Sequence, residues 1–199
     1  MQTQILQVEA FVLAGGASSR MGTDKSQLLI ENQTFVERIT TTLLTITDSV
    51  RLVGGRDNSK LPVVPDIYAQ WGALGGLHAA VSACRRDWAI VVACDLPFVT
   101  SDLLQRLASL RENYDAVVPI QQDGRPQPLC AFYRAETCAP RATELIEAGR
   151  RRPLDLLESV NTRWIDFAEI ANLDQAERFF VNINTPGDYD DHIRVRRES

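Results

Sequence analysis

The sequence predicts an α/β fold with a doubly wound, mostly parallel sheet, in a single domain over residues 1–199 with its core from about residue 8 to residue 193. Short apolar runs alternate with segments of helical periodicity, which is typical of this fold class. The connections are short, and no linker or low-complexity segment divides the chain. A length of 199 residues with 45% apolar residues is sufficient for one buried core.

The predicted strands are apolar runs, several of them rich in β-branched residues, that end at turn residues. Residues 88–94, WAIVVAC, are typical of a strand buried on both faces. A short extended segment at 27–31 ends at a turn at Asn32 and Gln33, and the Asp123-Gly124 pair marks a hairpin-like turn before a strand at 129–133. The other strands are predicted at 8–14, 50–53, 63–64, 115–120, 163–167 and 180–183.

The predicted helices carry apolar residues three or four positions apart on one face. Thr34 can cap the first of them, in which Phe35, Ile39, Leu43 and Ile46 share a face. Further helices are predicted at 73–84, from residue 100, at 137–148, at 153–160 and, as a short terminal helix, after residue 186.

Composition excludes several classes of function. A formal net charge of -5 argues against a nucleic-acid-binding protein, and no apolar run approaches the length of a membrane span. With no signal-peptide pattern at the N-terminus, we expect a cytoplasmic protein.

The 4 cysteines show no C-x-x-C spacing, which favours reduced core thiols over disulfides or zinc ligands. His78 and His192 are too far apart to indicate a metal site, so packing or solvent contact is the simpler interpretation for each.

The loop after the first strand has the features of a polyphosphate site. Gly15 and Gly16 lack β-carbons, so their N–H groups can approach phosphate or a base edge closely. Arg20 offers a planar fork of donors and Lys25 a mobile point charge, a pairing suited to phosphate whose charge redistributes during reaction. The spacing matches neither the Walker A loop, G-x-x-x-x-G-K-[ST], nor the dinucleotide fingerprint, G-x-G-x-x-G.

Polar residues follow several predicted strands at their carboxyl ends, where open parallel sheets bind ligands. Asp66 follows the strand at 63–64, Asp95 follows the strand at 88–94, and Asn182 and Asn184 lie at the end of the last apolar run. Because a carboxylate after an apolar strand is costly to bury unsatisfied, we predict that Asp95 is a ligand of Mg²⁺, which takes one or two carboxylates plus substrate phosphates. A helix cap is the alternative role for Asp95, but Thr100 is better placed for it.

The pattern L-A-G-G-x-S-x-R-M-G-x-D-K at 13–25 resembles the signature of nucleotidyltransferases, most closely the molybdenum cofactor guanylyltransferases. Three further blocks resemble that family: C-D-x-P-[FY] at 94–98, F-x-N-[IV]-N-T-P at 180–186, and G-P-L-[AG]-G at 72–76, in which Ala73 replaces proline. That replacement affects only the rigidity of the loop. The resemblance covers residues 13–188 and implies a three-layer, Rossmann-like nucleotidyltransferase fold.

The resemblance also implies a reaction: GMP passes from GTP to molybdenum-bound molybdopterin, and pyrophosphate leaves. It implies that Arg20, Lys25 and Asp95 are catalytic and that Asp95 binds the Mg²⁺ ion. The residues that it assigns to the nucleotide, the pterin and the metal are Leu13, Ala14, Gly15, Gly16, Lys25, Asp66, Asp95, Asn182 and Asn184. Besides GTP and molybdopterin, molybdoenzymes or other cofactor-synthesis proteins are expected as transient partners.

Two other segments are open to more than one interpretation. Residues 124–128 face the acceptor substrate in the resembling family, although the bare sequence indicates only a hairpin turn. Arg150, Arg151 and Arg152 form the densest positive cluster of the chain. They suit the solvated end of a helix, where cations oppose its dipole favourably, and an anion-binding role for one of them toward the phosphorylated pterin stays open.

Three alternative functions remain. A cytidylyltransferase acting on the same pterin usually carries L-A-A-G or T-A-A-G, whereas this chain has L-A-G-G at 13–16. A sugar-phosphate or alcohol-phosphate nucleotidyltransferase shares the first loop but not the ending at 182–186. A non-catalytic pterin carrier is a third possibility, and Lys25 and Asp95 argue against it, because a carrier needs no metal ligand beside a triphosphate loop.

Overall fold

The computed structural model describes residues 5–14, 29–30, 32–54, 61–183 and 186–189, with the backbone alone at residues 69, 186 and 189. Its strands are β1 (Glu9–Leu13), β2 (Leu29–Ile30), β3 (Gln33–Thr34), β4 (Val50–Val53), β5 (Val63–Val64), β6 (Trp88–Ala93), β7 (Ala116–Pro119), β8 (Cys130–Arg134) and β9 (Thr162–Ile165). Its helices are α1 (Phe35–Leu44), α2 (Ala73–Ala83), α3 (Ser101–Ser109), α4 (Ala135–Glu147), α5 (Pro153–Leu157) and α6 (Pro186–Tyr189).

The central sheet has 7 strands in the order β5-β4-β1-β6-β8-β7-β9. β1 lies parallel to both β4 and β6, with Leu13 opposite Val53 on one side and Ala93 on the other. β8 runs antiparallel to its neighbours β6 and β7, and the remaining neighbouring pairs are parallel. The chain therefore proceeds outward from β1 to β4 and β5 and then returns to β6 on the other side, which confirms the doubly wound, mostly parallel sheet.

Apolar side chains cover both faces of the sheet. Ala10 and Val12 of β1 pack on the face covered by α1 and α3, while Phe11 and Leu13 pack on the face covered by α2, α4 and α5. This alternation follows from the two-residue period of a strand. β1 and β6 are buried along their whole length, as expected for central strands of a parallel sheet. The result is the predicted three-layer architecture.

The starts of two helices are fixed by side-chain caps. Thr34 Oγ1 accepts a hydrogen bond from the Glu37 backbone N–H at 3.2 Å, and Glu37 accepts one from the Thr34 N–H at 2.8 Å. Thr100 Oγ1 accepts one from the Leu103 N–H at 3.3 Å. Both predicted caps are confirmed, and the cap of α3 is thus supplied without Asp95.

The predicted strand at 180–183 is wrong. Residues 181–183 have no regular structure, and β9 is the last strand of the described chain. The side chains of Phe179 and Phe180 are buried in the core. The backbone N–H of Ile183 donates to the Asp95 carbonyl at 3.1 Å. The segment therefore pairs with the loop after β6 and does not extend the sheet.

Other elements differ from the prediction at their ends. Gln33 and Thr34, expected as turn and cap, also pair as β3 with β2, and Asn32 makes the turn between them with φ 66°. Cys84 lies beyond the end of α2 in an extended conformation, and α5 ends at Leu157. These shifts leave the order of the elements unchanged.

The cysteines are free thiols, as predicted. Cys130 and Cys138 are buried, and burial raises the pKa of each to about 12. Cys84 and Cys94 are only partly buried, and desolvation raises the pKa of Cys84 to about 11. Within the residues that the structure describes, no helix is both long and apolar enough to cross a membrane.

Candidate functional site

The candidate site lies at the carboxyl edge of the sheet between β1 and β6, where the strand order reverses. The Cys94 N–H donates to the Leu13 carbonyl at 3.0 Å, and the Ala14 N–H donates to the Val53 carbonyl at 3.0 Å. Leu13 and Ala14 therefore continue the backbone ladder to the edge at which the predicted glycine loop begins. Gly15, Gly16, Arg20, Lys25 and Asn184 lie outside the described residues.

Asp95 follows Cys94 at the end of β6, half-buried, on a loop whose backbone is held from several sides. Leu96 is fully buried and donates its N–H to the Ala93 carbonyl at 3.2 Å. Arg38 Nε donates to the Pro97 carbonyl at 3.0 Å, and the guanidinium of Arg178 stacks on the Phe98 ring at 4.0 Å. The carboxylate is thus presented at the edge of the sheet from a fixed backbone.

The carboxylate of Asp95 offers the kind of oxygen ligand that a hard divalent cation takes. Among the described residues there is no group of three or more His, Cys, Asp or Glu side chains able to enclose a metal. Mg²⁺ does not need such a cage, because it retains water and completes its shell with substrate oxygens. Since Thr100 caps α3, Asp95 is not required as its helix cap.

A small apolar cluster joins the segments that carry the predicted motifs. Ile30, Phe35, Phe98 and Ile183 are buried against one another, with Val181 packed beside them. They come from the strand after the glycine loop, the start of α1, the Asp95 loop and the asparagine-rich segment. Asn182 lies exposed between two members of this cluster. The structure therefore brings residue 182 next to the Asp95 loop, although no strand carries it there.

Asp66 follows β5 and opens a loop over residues 66–72, here termed the Asp66 loop. Asp66 Oδ1 accepts a hydrogen bond from the Tyr68 backbone N–H at 3.0 Å. The Tyr68 ring packs edge-on against the His78 ring of α2, with centroids 5.0 Å apart. β4 and β1 separate this loop from β6 in the sheet, so Asp66 lies on the flank of the site away from β8.

His78 serves packing, one of the two roles that the sequence left open for it. It is buried in α2, and its Nε2 lies within hydrogen-bond distance of Thr143 Oγ1 (3.1 Å) and Ser82 Oγ (3.2 Å). Burial lowers the pKa of His78, and the nearby Asp66 carboxylate opposes this shift only in part. The ring is therefore neutral at pH 7 and links α2 to α4.

Gly75 allows α2 to lie directly against the Asp66 loop. A β-carbon at this position would approach the Tyr68 carbonyl oxygen to 2.4 Å, whereas one at Gly76 would find Leu13 Cδ1 at 3.6 Å, an ordinary contact. The G-A-L-G-G block thus contains one glycine that the packing requires and a neighbouring one that tolerates a methyl group.

We expect Gly75→Ala to lower the free energy of unfolding by about 1–3 kcal/mol, because the backbone oxygen of Tyr68 must move. Gly76→Ala is the matched control and should change stability by less than about 1 kcal/mol, since alanine also favours a helix. Urea denaturation of the two variants measures the difference. Equal stability of the two proteins would contradict this account of the block.

The arginine cluster at 150–152 packs mainly against the protein itself. Arg150 forms an ion pair with Asp155 at 2.9 Å, and its carbonyl accepts from Trp71 Nε1 at 2.7 Å. Arg151 stacks on the Trp71 ring at 4.4 Å and donates to the Gln70 carbonyl at 3.0 Å. These two arginines contact the Asp66 loop, which gives them a positioning role, although all three arginines of the cluster are exposed.

The turn at 121–128 also reaches the carboxyl edge. The Gln121 N–H donates to the Arg125 carbonyl at 2.8 Å, and Arg125 pairs with Asp123. The Ala93 N–H donates to the Leu129 carbonyl at 2.8 Å, which places the end of this turn beside the end of β6. The predicted hairpin is therefore present, and it lies on the opposite side of β6 from β1.

Comparison with known sequences identifies a family model and close relatives. The model of the MobA-like NTP transferase domain matches residues 10–162. A probable molybdenum cofactor guanylyltransferase of Clostridium perfringens is 32% identical over 197 residues, 96% of this chain and 99% of that protein. One of Pelotomaculum thermopropionicum is 32% identical over 92% of this chain and 91% of its own length. The molybdenum cofactor guanylyltransferase of Vibrio campbellii is 29% identical over 92% and 93%.

Solved structures show the same fold. Molybdopterin-guanine dinucleotide biosynthesis protein A from Archaeoglobus fulgidus superposes with a TM-score of 0.80 at 23% identity, covering 96% of this chain and 100% of that one. The 2-C-methyl-D-erythritol 4-phosphate cytidylyltransferase from Thermus thermophilus gives a TM-score of 0.68 at 14% identity, with coverages of 96% and 100%. Two enzymes named for different nucleotides therefore share this architecture.

Proposed function

Because this chain belongs to the MobA-like NTP transferase family, we propose that it transfers GMP from GTP to molybdenum-bound molybdopterin and releases pyrophosphate. The observation that carries the proposal is 32% identity over 96% of the chain to a protein named as a guanylyltransferase of this cofactor. The resemblance that the sequence motifs indicated is thereby confirmed. The chain is a nucleotidyltransferase.

The reaction requires the protein mainly to align the two substrates and to neutralise negative charge. A phosphate oxygen of the acceptor is already ionised at neutral pH, so no side chain needs to act as a general base. The protein must hold that oxygen in line with the α-phosphorus of GTP and neutralise the charge of the leaving pyrophosphate. Positioning and electrostatics of this kind account for most catalysis of phosphoryl-type transfer.

We propose that Asp95 holds Mg²⁺, which when bound supplies charge neutralisation at the phosphates. The support is the half-buried carboxylate after β6, on a loop that Leu96 and Arg38 fix, together with the cap of α3 that makes a helix-capping role unnecessary. Asp95 itself orients the ion and adds no proton transfer.

The other residues of the proposed site are assigned to the nucleotide, to the phosphates or to the acceptor. The backbone of Leu13, Ala14, Gly15 and Gly16 is proposed to lie against the nucleotide, with Arg20 and Lys25 stabilising the transferred phosphate and the leaving group. Asp66 is proposed to contact the guanine or the ribose. Asn182 and Asn184 are assigned to the pterin or phosphate side; the hydrogen bond between the Ile183 N–H and the Asp95 carbonyl supports this for residue 182.

Location, domain organisation and further partners stay predictions. We expect a cytoplasmic, single-domain protein that contacts molybdoenzymes or other cofactor-synthesis proteins transiently. Its substrates, GTP and molybdopterin, are both small molecules, and nothing in the proposed reaction requires a nucleic acid or a membrane.

The fold alone does not decide which nucleotide is used, because a cytidylyltransferase shares it. We expect GTP to be used well ahead of CTP and ATP when the protein is incubated with Mg²⁺, molybdopterin and one nucleotide at a time. Pyrophosphate release measures the reaction. Equal rates with CTP would remove the guanine assignment, and no release with any nucleotide would remove transferase activity on this pterin.

A further inference from the structure

Trp71 joins the Asp66 loop to the turn between α4 and α5. Its indole Nε1–H donates at 2.7 Å to the carbonyl of Arg150, which lies 79 residues further along the chain. The guanidinium of Arg151 lies over the indole ring, 4.4 Å from its centroid, and also donates to the carbonyl of Gln70 at 3.0 Å. Because an indole combines one N–H donor with a broad ring face, a single side chain makes both contacts.

The carbonyl that accepts from the indole is held at the end of a helix. Gly149 has a φ of 79° and donates its N–H to the Ile146 carbonyl at 2.9 Å. The Arg150 N–H donates to the Leu145 carbonyl at 2.9 Å, and the two bonds together close α4 in a Schellman motif. The Arg150 guanidinium pairs at 2.9 Å with the buried Asp155. The backbone that Trp71 contacts is therefore fixed by both its own N–H and its side chain.

Two hydrogen bonds connect Trp71 to Asp66 within the loop. The Trp71 backbone N–H donates to the Tyr68 carbonyl at 2.7 Å, and the Tyr68 N–H donates to Asp66 Oδ1 at 3.0 Å. Gly75 of α2 packs against the same Tyr68 carbonyl. A change in the position of Trp71 therefore changes the position of the Asp66 carboxylate.

The sheet itself provides little support for this loop. β5, which precedes it, has two residues and lies at the edge of the sheet, paired with β4 alone among the described strands. The side chain of Ile67, next to Asp66, is 74% exposed and adds little packing. A segment with few buried contacts opens easily, so the loop depends on another attachment to keep one conformation. The contacts of Trp71 supply that attachment.

We propose that Trp71 is a positioning residue for the nucleotide: it holds the Asp66 loop in the conformation in which the Asp66 carboxylate contacts the guanine or the ribose of GTP. This inference rests on the proposed function, which assigns Asp66 to the nucleotide. A preorganised loop loses less conformational entropy when the ligand binds, so loss of the attachment raises the KM for GTP. The KM for molybdopterin is unaffected, because Asp66 lies on the flank of the site away from β8.

The test compares Trp71→Phe and Trp71→Ala with the matched control Trp164→Phe. Trp164 is a partly buried tryptophan of β9, at the opposite edge of the sheet from β5. Phenylalanine at position 71 retains a ring for Arg151 but has no N–H, so we expect the KM for GTP to rise roughly threefold. Alanine removes both contacts and should raise it roughly tenfold. In all three variants kcat and the KM for molybdopterin should stay at wild-type values, and Trp164→Phe should also keep the KM for GTP.

A double-mutant cycle with Asp66→Asn separates positioning of Asp66 from a general loss of stability. If Trp71 acts through Asp66, Trp71→Phe raises the KM for GTP in the wild-type protein but not in Asp66→Asn. Equal increases in both backgrounds, or a wild-type KM in Trp71→Ala, would overturn the proposal. A wild-type KM for GTP in Asp66→Asn would overturn it as well, because Trp71 would then position no group that contacts the nucleotide.

Binding of GTP alone, measured by titration calorimetry, keeps this inference distinct from the proposed function. If the wild-type protein releases no pyrophosphate with molybdopterin, the transfer reaction is wrong, yet the affinities of the variants for GTP still test Trp71. Weaker binding by Trp71→Phe than by Trp164→Phe would then support the inference. Equal affinity of the wild-type protein and Trp71→Ala for GTP would overturn it, and no binding by the wild-type protein would overturn both.

Discussion

Replacing Asp95 with asparagine is expected to reduce GMP transfer by about 10²-fold or more while the protein stays folded. Asparagine keeps the shape of the side chain but removes the charge that attracts Mg²⁺. The loop itself is held by backbone bonds and by buried Leu96, which the substitution leaves intact. Pyrophosphate release at saturating GTP measures the loss, and circular dichroism monitors folding.

Asp102→Asn is the matched control for this substitution. Asp102 is an exposed carboxylate in the first turn of α3, and the change removes the same charge. Its activity should equal that of the wild-type protein. Full Mg²⁺-dependent activity in Asp95→Asn, or its unfolding, would make Asp95 a structural turn residue. GTP binding that persists in Asp95→Asn would indicate a catalytic loss and not the loss of the nucleotide site.

Lys25→Ala is expected to lower turnover by roughly 10²-fold, because a preorganised cation at the phosphates stabilises the charge that develops on the leaving group. The thermal midpoint should change little, because a side chain that contacts phosphate is not expected to contribute to the packing of the core. Pyrophosphate release measures the turnover, and a thermal denaturation curve of the same preparation measures the midpoint. The prediction therefore separates a contact with phosphate from a contribution to packing.

Lys60, the other lysine of the chain, is the control for Lys25. Lys60→Ala makes the same change in net charge and should leave turnover as it is. A similar loss in both variants would reflect the overall charge of the protein and not a phosphate contact. Normal turnover in Lys25→Ala would reduce Lys25 to a solvated loop residue.

Features with a local signal could be predicted from the sequence. The caps at Thr34 and Thr100 depend on residues three positions apart, and the strand at 88–94 is marked by its own apolar run. The position of Asp95 at the carboxyl edge follows directly from that strand. For the same reason the order of most strands and helices along the chain agrees with the prediction.

Features that depend on distant contacts could not be predicted in this way. The Asp123-Gly124 turn indicates that β7 and β8 are antiparallel, but not that β8 inserts between β7 and β6. The segment at 180–183 has the composition of a strand, yet the hydrogen bond to Asp95 and the burial of Ile183 hold it outside the sheet. Phe180 packs in the main core, while Val181 and Ile183 pack in the small cluster around Phe98, which no periodicity reveals.

The site shows the same limit. Gly75 has no room for a β-carbon because the Tyr68 carbonyl lies against it, whereas Gly76 has room. The sequence does not show where that carbonyl lies. The interpretation of Arg150 and Arg151 as loop-holding residues likewise requires the position of Trp71.

The transfer of GMP is tested most directly by following the α-phosphate of GTP. The protein is incubated with Mg²⁺, molybdenum-bound molybdopterin and GTP labelled at the α-phosphorus, and the products are separated. We expect the label to move into the pterin product in an amount equal to the pyrophosphate released, as transfer by in-line attack requires. Label that remains in GTP, or that appears as free GMP, would contradict it.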